Sequence, residues 1–497
     1  MWIWALLIAT IFPSITQGAE PQKNVLFLVV DDLRPELSAF KGDQTIVISP
    51  NIDQLAAKSL VLKSAYVQQS ICGPSRTSLL TGRRPDTTLV YDLNTYWRTA
   101  GGDFTTIPQY FKENGYRTAG LGKLFHPGYE ASRNDDPISW TDAYYHPPDK
   151  KFWATDESWK AVTEAEYQAN PLPDTQIADE AISRLNDMVS DALDGTQPFF
   201  LSVGFHKPHL PFVFPEEYLD WYPESDIKLP DNPYAPVDMP DAAWSVYGEL
   251  IAYTDINNLL VTGDINTTIP DSKTIELRRA YYATISYIDG EIGRILEELE
   301  YLGLSNNTIV SFFGDHGFSL GEHGEWCKKT NFEDAVHAPM MLHVPGETDG
   351  GIVSEKLIEF VDIFPSLVDA AGLPSLELCP EDSSNNATCT EGSSFLPLID
   401  DPDRTWKSGA FSQVQVRING KNAMGYTIRT EDFRYTEWVR FNTKTNTMNW
   451  KQVYGVELYD HRIDPKENVN RATDSNYDTD IVTLSTMLHQ GWRYSQP

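Results

Sequence analysis

The run Asn24-Val25-Leu26-Phe27-Leu28-Val29-Val30 is continuously apolar and rich in β-branched residues. A strand with one wet face would alternate polar and apolar positions. This run does not, which predicts a strand buried on both faces, as in a parallel sheet covered by helices. Asp31-Asp32 follows at its carboxyl end, the edge where open α/β sheets place their ligands. Paired aspartates after a strand are also ordinary turn chemistry.

Working outward, two more apolar runs read as strands and end on polar residues. Residues 198–204 lead into His206-Lys207-Pro208-His209, and residues 307–313 lead into Gly314-Asp315-His316-Gly317. A shorter strand at 116–120 precedes a Gly/Pro-bounded loop carrying Lys123 and His126. The spacing predicts helices at 51–60, 106–114, 174–193, 274–302 and 361–371, and strands at 61–68 and 337–344. The longest helix has a core stripe of Ile275, Tyr281, Ile285, Ile288, Ile292, Ile295 and Leu299, stopped by Gly303. Residues 129–173 and 212–245 lack periodicity and read as long loops.

Between these elements lies Ser70-Ile71-Cys72-Gly73-Pro74-Ser75-Arg76-Thr77-Ser78-Leu79-Leu80-Thr81-Gly82-Arg83-Arg84. It reads as a Gly-Pro turn followed by a helix closed at Gly82. Such a layout points backbone N–H groups and a positive dipole end at Cys72, and Arg76 adds a fixed cation. An anion site is expected there, with any thiol present as thiolate. The plain alternative is a buried structural cysteine at a helix start.

The 497-residue chain is long enough for one large α/β domain and a smaller one, and its 41% hydrophobic and 12% aromatic content excludes disorder. A net charge of −32 disfavours nucleic acid as a partner. An anionic substrate would then need a small cationic pocket in an acidic surface. Residues 1–18 read as a cleaved signal peptide whose apolar run is too short to span a bilayer, and no other stretch is long enough. Sequons at Asn266, Asn306 and Asn386 fit a secretory route with surface glycans. Cys379 and Cys389 enclose a short polar loop, where a local disulfide is expected, leaving Cys327 free. Composition shifts between 400 and 407, which places a boundary between a 20–400 domain and a 405–497 subdomain. Strands at 425–429, 433–440 and 456–460, a polar turn at 441–450 and a closing helix at 482–494 are expected in the subdomain.

Three strand ends thus deliver Asp31-Asp32, His206 and Asp315-His316 to one sheet edge, joined by Lys123, His126, Cys72 and Arg76. Converging carboxylates repel unless a divalent cation joins them, and an oxygen-rich set favours Ca²⁺ or Mg²⁺ over Zn²⁺. Together, Cys72-Gly73-Pro74-Ser75-Arg76 with Leu80-Thr81-Gly82-Arg83, Asp31-Asp32, Gly122-Lys123 to His126, His206 to His209, Asp315-His316-Gly317 and Gly321 to Lys328 resemble the sulfatase family of the alkaline-phosphatase-like superfamily. The resemblance continues into Met424 to Thr430, so it covers both parts of the chain.

The resemblance implies an α/β fold: a large mixed, mostly parallel sheet flanked by helices, with a smaller α+β subdomain. It implies that Cys72 is converted to formylglycine by a formylglycine-generating enzyme. It also implies one Ca²⁺ held by Asp31, Asp32, Asp315, His316 and residue 72. Arg76, Lys123 and Lys328 would neutralise the sulfate oxygens, His206 or Lys328 would protonate the leaving oxygen, and His126 would take the proton of the second hydroxyl. Asp136 and Phe318 would lie beside the substrate. The implied reaction is sulfate ester hydrolysis, narrowly of 2-O-sulfate on iduronate or other uronates in heparan- or dermatan-sulfate-type glycans, in a lysosomal or secreted protein. The rivals are a sulfatase for another polysaccharide and a phosphodiester or phosphonate hydrolase of the same superfamily.

Overall fold

In the computed structural model, residues 22–128, 131–148, 155–265 and 267–497 are described. The expected signal peptide and Asn266 lie outside them. The main sheet is built from β1 (Asn24–Val30), β2 (Leu60–Tyr66), β3 (Arg117–Gly122), β4 (Phe199–Phe205), β5 (Thr308–Gly314), β6 (Met340–His343) and β7 (Ile352–Glu359). The strand order is β7-β2-β6-β5-β1-β4-β3. All pairings are parallel except those of β6, which runs against both β2 and β5. The sheet is therefore mixed and mostly parallel.

The first strand shows why. Every residue of β1 is buried. Val25, Phe27 and Val29 face one apolar cluster and Leu26, Leu28 and Val30 the other, because successive side chains point to opposite faces. Helices α1 (Cys72–Thr81) and α4 (Ile363–Ala370) cover the first face, and α2 (Pro173–Leu193) and α3 (Asp271–Tyr301) the second. The three layers leave β1, flanked by β4 and β5, at the centre.

Several local expectations change. Gly73 and Pro74 are not a turn before a helix; they form its first turn, because α1 starts at Cys72 itself, with Gly82 as a left-handed cap. The loop expected at 129–173 holds a short strand, Trp159–Val162, and a helix, Glu164–Ala169, closed by a Thr163/Glu166 capping box. The C-terminal sheet has four antiparallel strands, β8 (Ala410–Ile418), β9 (Lys421–Arg429), β10 (Phe433–Asn442) and β11 (Thr447–Asp460), one more than periodicity suggested. Helix α5 (Asp478–Gln490) packs Leu484 and Leu488 against Met424, Tyr426 and Ile428 of this sheet.

Buried ion pairs seal the two parts together. Lys407, inside the stretch read as a boundary, is fully buried and donates to Glu359 (2.9 Å) and Asp362 (2.6 and 2.9 Å). Arg84 pairs with the same Glu359 through both Nη atoms at 2.7 Å. Arg434 of β10 bonds Glu333 and Glu467. Cys379 and Cys389 form a disulfide, and Cys327 is a buried free thiol. Asn306 is exposed and Asn386 half-buried. Among the described residues, no helix is long and apolar enough to cross a membrane.

Candidate active site

The carboxyl ends of β3, β4, β1 and β5 lie side by side and supply Lys123, His206 to His209, Asp31-Asp32 and Asp315-His316. Consecutive strand residues face opposite ways, so Asp31 and Asp32 could not both enter one site from a regular strand. The chain solves this at Asp32, which adopts a left-handed φ of 60°. That conformation is costly for a non-glycine residue and is held by two hydrogen bonds to Asp32, one of them from a tyrosine that is itself anchored. Asp32 N donates to Asp315 Oδ1 (2.9 Å), Tyr281 Oη donates to Asp32 O (2.7 Å), and Arg34 N donates to Tyr281 Oη (3.0 Å). At the neighbouring strand end, a Cβ on Gly122 would sit 2.1 Å from Gly204 O, and one on Gly204 would sit 2.3 Å from Lys123 O. Only glycines let β3 and β4 approach closely enough to place Lys123 here.

Cys72 opens α1 beneath these ends. Its Sγ lies 3.3 Å from His316 Nε2, 3.6 Å from Asp31 Oδ1 and 3.7 Å from Lys123 Nζ. Burial, then the Asp31 carboxylate, push the thiol well above its ordinary value despite Lys123 and Lys328. Arg76 donates Nη2–H to Asp31 (2.8 Å), Nε–H to Asp315 (2.9 Å) and Nη1–H to the carbonyls of Lys123 and Leu124, the latter at 2.9 Å. Arg76 braces the carboxylates.

Asp31, Asp32 and Asp315 are fully buried and offer oxygens within 4.8 Å of one another. Burial opposes the Asp31 charge, but Lys123 and Arg76 outweigh it and hold the carboxyl well below the usual carboxylate range. Asp315 is pushed up by burial, which Arg76 only partly offsets. His316 donates Nδ1–H to Gly317 O (2.8 Å), which leaves Nε2 with a lone pair 3.4 Å from Asp32 Oδ1 and 3.5 Å from Asp315 Oδ2. Three carboxylates and one imidazole nitrogen around a point fit a hard divalent cation. Lys123 is bonded to Asp31, and Lys328 donates to both Asp32 oxygens at 2.8 Å. Counting Glu249, four carboxylates face the three cations Arg76, Lys123 and Lys328. The pocket expected to be cationic is thus close to neutral in its own residues, and a divalent ion would make it positive.

His206 lies beside the cluster, within electrostatic reach of Lys123 and Asp31. It is buried, with its N–H bonded to Asp174 Oδ1 (2.6 Å) and Nδ1 3.5 Å from the same carboxylate. His209, from the same strand end, is the histidine that reaches the cluster: Nε2 lies 3.1 Å from Glu249 Oε1 and 4.0 Å from Asp32 Oδ2. The run His206-Lys207-Pro208-His209 signalled the segment but not which ring turns inward. Nothing in the sequence signalled Glu249, which comes from an irregular stretch. Phe318 is fully buried and stacked on Tyr281 with centroids 5.6 Å apart. Asp136 is exposed on its loop, accepting from Tyr144 N at 3.5 Å. His126, near Gly73 and Thr77 of α1, keeps a buried Nδ1 without a hydrogen-bond partner among the described residues.

Burial, then Lys123, lower His126 to about 4; burial also lowers His206 to about 4, against the pull of Asp174. The folded protein thus keeps His206 neutral while an unfolded chain protonates it near pH 6.5. Its contribution is present above that pH and is lost as pH falls through about 4. Urea unfolding at pH 7 and pH 4.5 should show wild type losing about 2–3 kcal/mol more than His206→Gln. An equal loss in both would refute this account.

A mixed, mostly parallel sheet with helices on both faces, whose central strand ends gather carboxylates, histidines and lysines around one side chain, is the alkaline-phosphatase-like fold. A phosphonate monoester hydrolase from Silicibacter pomeroyi shares the fold, with a TM-score of 0.73 at 19% identity over 96% of each chain. The sulfatase family profile matches residues 23–373, and one described as N-sulphoglucosamine sulphohydrolase, C-terminal, matches residues 321–493. Iduronate 2-sulfatase of Mus musculus is 39% identical over 93% of this chain and 94% of its own length; that of Homo sapiens is 38% identical over 96% of each. The chain belongs to the sulfatase family. It is a sulfuric ester hydrolase.

Proposed function

We propose that this sulfatase removes 2-O-sulfate from iduronate or related uronates of heparan- or dermatan-sulfate-type glycans, with formylglycine at position 72 and one Ca²⁺. The observation that supports this most is the convergence of Asp31, Asp32, Asp315, His316, Lys123 and Lys328 on Cys72, in a chain similar to iduronate 2-sulfatases over nearly its whole length. Asp31, Asp32, Asp315 and His316 would hold the ion, which would polarise a sulfate oxygen. As a hydrated aldehyde, residue 72 would supply one hydroxyl as nucleophile and a second through which sulfate is released.

The remaining work falls to unmodified residues. Lys123 and Lys328 flank residue 72 and Asp32 and would neutralise the sulfate oxygens. Lys328 or His209 would protonate the leaving sugar oxygen, with His209 replacing His206 in that role. His126 carries no proton at neutral pH and would accept one from residue 72. Arg76 keeps the carboxylates in register, and Asp136 contributes to the rim. We also place the protein in the secretory pathway, lysosomal or secreted, glycosylated at the three sequons, with a formylglycine-generating enzyme as maturation partner. The domain limits 20–400 and 405–497 belong to the same reading.

Sulfate release from 2-O-sulfated uronate disaccharides should exceed that from 6-O- and N-sulfated glucosamine counterparts by at least about 10²-fold in kcat/KM, since a site that hydrogen-bonds its substrate rejects misplaced groups strongly. Preference for 6-O- or N-sulfate would replace this substrate with another sulfated polysaccharide. Faster cleavage of a phosphonate monoester would favour the phosphonate hydrolase reading.

A further inference from the structure

Glu249 closes a ring on the open side of the site. Its carboxylate lies 3.1 Å from His209 Nε2 and 3.3 Å from Lys328 Nζ, and Lys328 in turn donates to both oxygens of Asp32 at 2.8 Å. His209 donates Nδ1–H to Leu210 O (2.6 Å), so Nε2 is the nitrogen that faces the site. The Glu249 side chain is 22% exposed, whereas Asp32 is fully buried. The ring therefore runs from the core outward, with the glutamate at its outer end. Burial works against the Glu249 charge, but Lys328 and His209 outweigh it and hold the carboxyl well below its ordinary range.

A carboxylate at the mouth of a site for an anionic ester repels its own substrate, so its presence needs a reason. The geometry gives one. Lys328 hangs between Asp32 on the inside and Glu249 on the outside. Without the outer partner, Asp32 is the carboxylate left, among the described residues, to bond its ammonium, which is drawn toward the core. His209 would lose the nearest carboxylate to Nε2 among the described residues, leaving Asp32 at 4.0 Å and Asp31 within 4.8 Å.

We propose that Glu249 is a positioning residue for protonation of the leaving oxygen, holding the Lys328 ammonium and the His209 imidazole side by side. This rests on the sulfatase reading above. In the step it serves, the S–O bond to the sugar breaks as sulfur bonds to the oxygen at position 72. The bonding pair goes to the sugar oxygen, which takes the proton from Lys328 or His209 and leaves as the alcohol. Glu249 touches neither substrate nor sulfur.

The test compares two leaving groups in the full-length, metal-loaded enzyme. A sugar alkoxide needs its proton; the phenolate of 4-nitrophenyl sulfate does not. Glu249→Gln should lower kcat on a 2-O-sulfated uronate disaccharide by about 10²-fold, with KM within about 3-fold. The loss on 4-nitrophenyl sulfate should stay within about 3-fold. Glu249→Asp should recover at least about tenfold over Gln on the sugar ester, because it restores the anion. Melting temperatures within a few degrees of wild type confirm folding, as expected for a partly exposed side chain. Equal losses on both esters, or Gln matching Asp, would overturn the proposal. If wild type ignores aryl sulfates, the Asp-against-Gln comparison decides it alone. If wild type ignores the uronate disaccharide, the substrate reading fails, and the variants are compared on the sulfated sugar it does cleave.

Discussion

Cys72→Ala will abolish sulfate release, by about 10⁵–10⁶-fold in kcat, the scale on which losing a nucleophile is felt, while leaving the fold intact. The side chain is 2% exposed and its Sγ contacts are Asp31, Lys123 and His316, all of which keep other partners. Truncation to alanine removes one sulfur atom from a polar cluster, so stability should fall by no more than about 1 kcal/mol. Cys72→Ser separates nucleophilicity from release. A serine could form one sulfate ester but has no second hydroxyl to expel it, so at most one equivalent of product per enzyme is expected. Peptide mass analysis across residue 72 of active wild type should show an aldehyde in place of the thiol. Full activity with an intact thiol would refute the mechanism.

Asp31→Asn is the second large effect, and it strikes stability as well as activity. The substitution keeps the shape and removes one charge from the centre of the cluster. Lys123 and Arg76, both buried and both bonded to Asp31, then face each other with one carboxylate fewer between them. Leaving a buried charge uncompensated costs about 3–5 kcal/mol. Loss of one carboxylate from the three-aspartate set should also empty the site of its divalent ion, with kcat falling at least about 10³-fold. Bound metal measured by elemental analysis and unfolding measured by urea titration are independent readouts. Near-stoichiometric metal in a variant of wild-type stability would refute the assignment of Asp31 as both ligand and counter-charge.

The central strands and long helices were legible because burial on both faces leaves an unbroken apolar run in β1, β4 and β5, and because the stripe of α3 repeats with helical spacing. From those strands the convergence of Asp31-Asp32, Lys123 and Asp315-His316 on one edge follows by topology. Side-chain direction does not. His206 and His209 sit three residues apart after one strand, and only the packed structure shows that Asp174 claims the first while Glu249 and Asp32 receive the second. Arg76 was legible as a cation but not as a spent one, since its partners come from three separate segments. Phe318 looked like a rim residue by position alone; stacking on Tyr281 takes it into the core. Strand β8 went unread although Val414, Val416 and Ile418 alternate with Gln413, Gln415 and Arg417, the pattern of a half-buried strand.

The seam between the two sheets has a consequence for how the two parts can move. Lys407 lies fully buried between Glu359 and Asp362, and Arg434 lies buried against Glu333 and Glu467. Swinging one part of the molecule away from the other would strip these charges of their counterions at several kcal/mol each. Hinging of these two parts against each other is therefore costly. The seam between them is set when the chain folds.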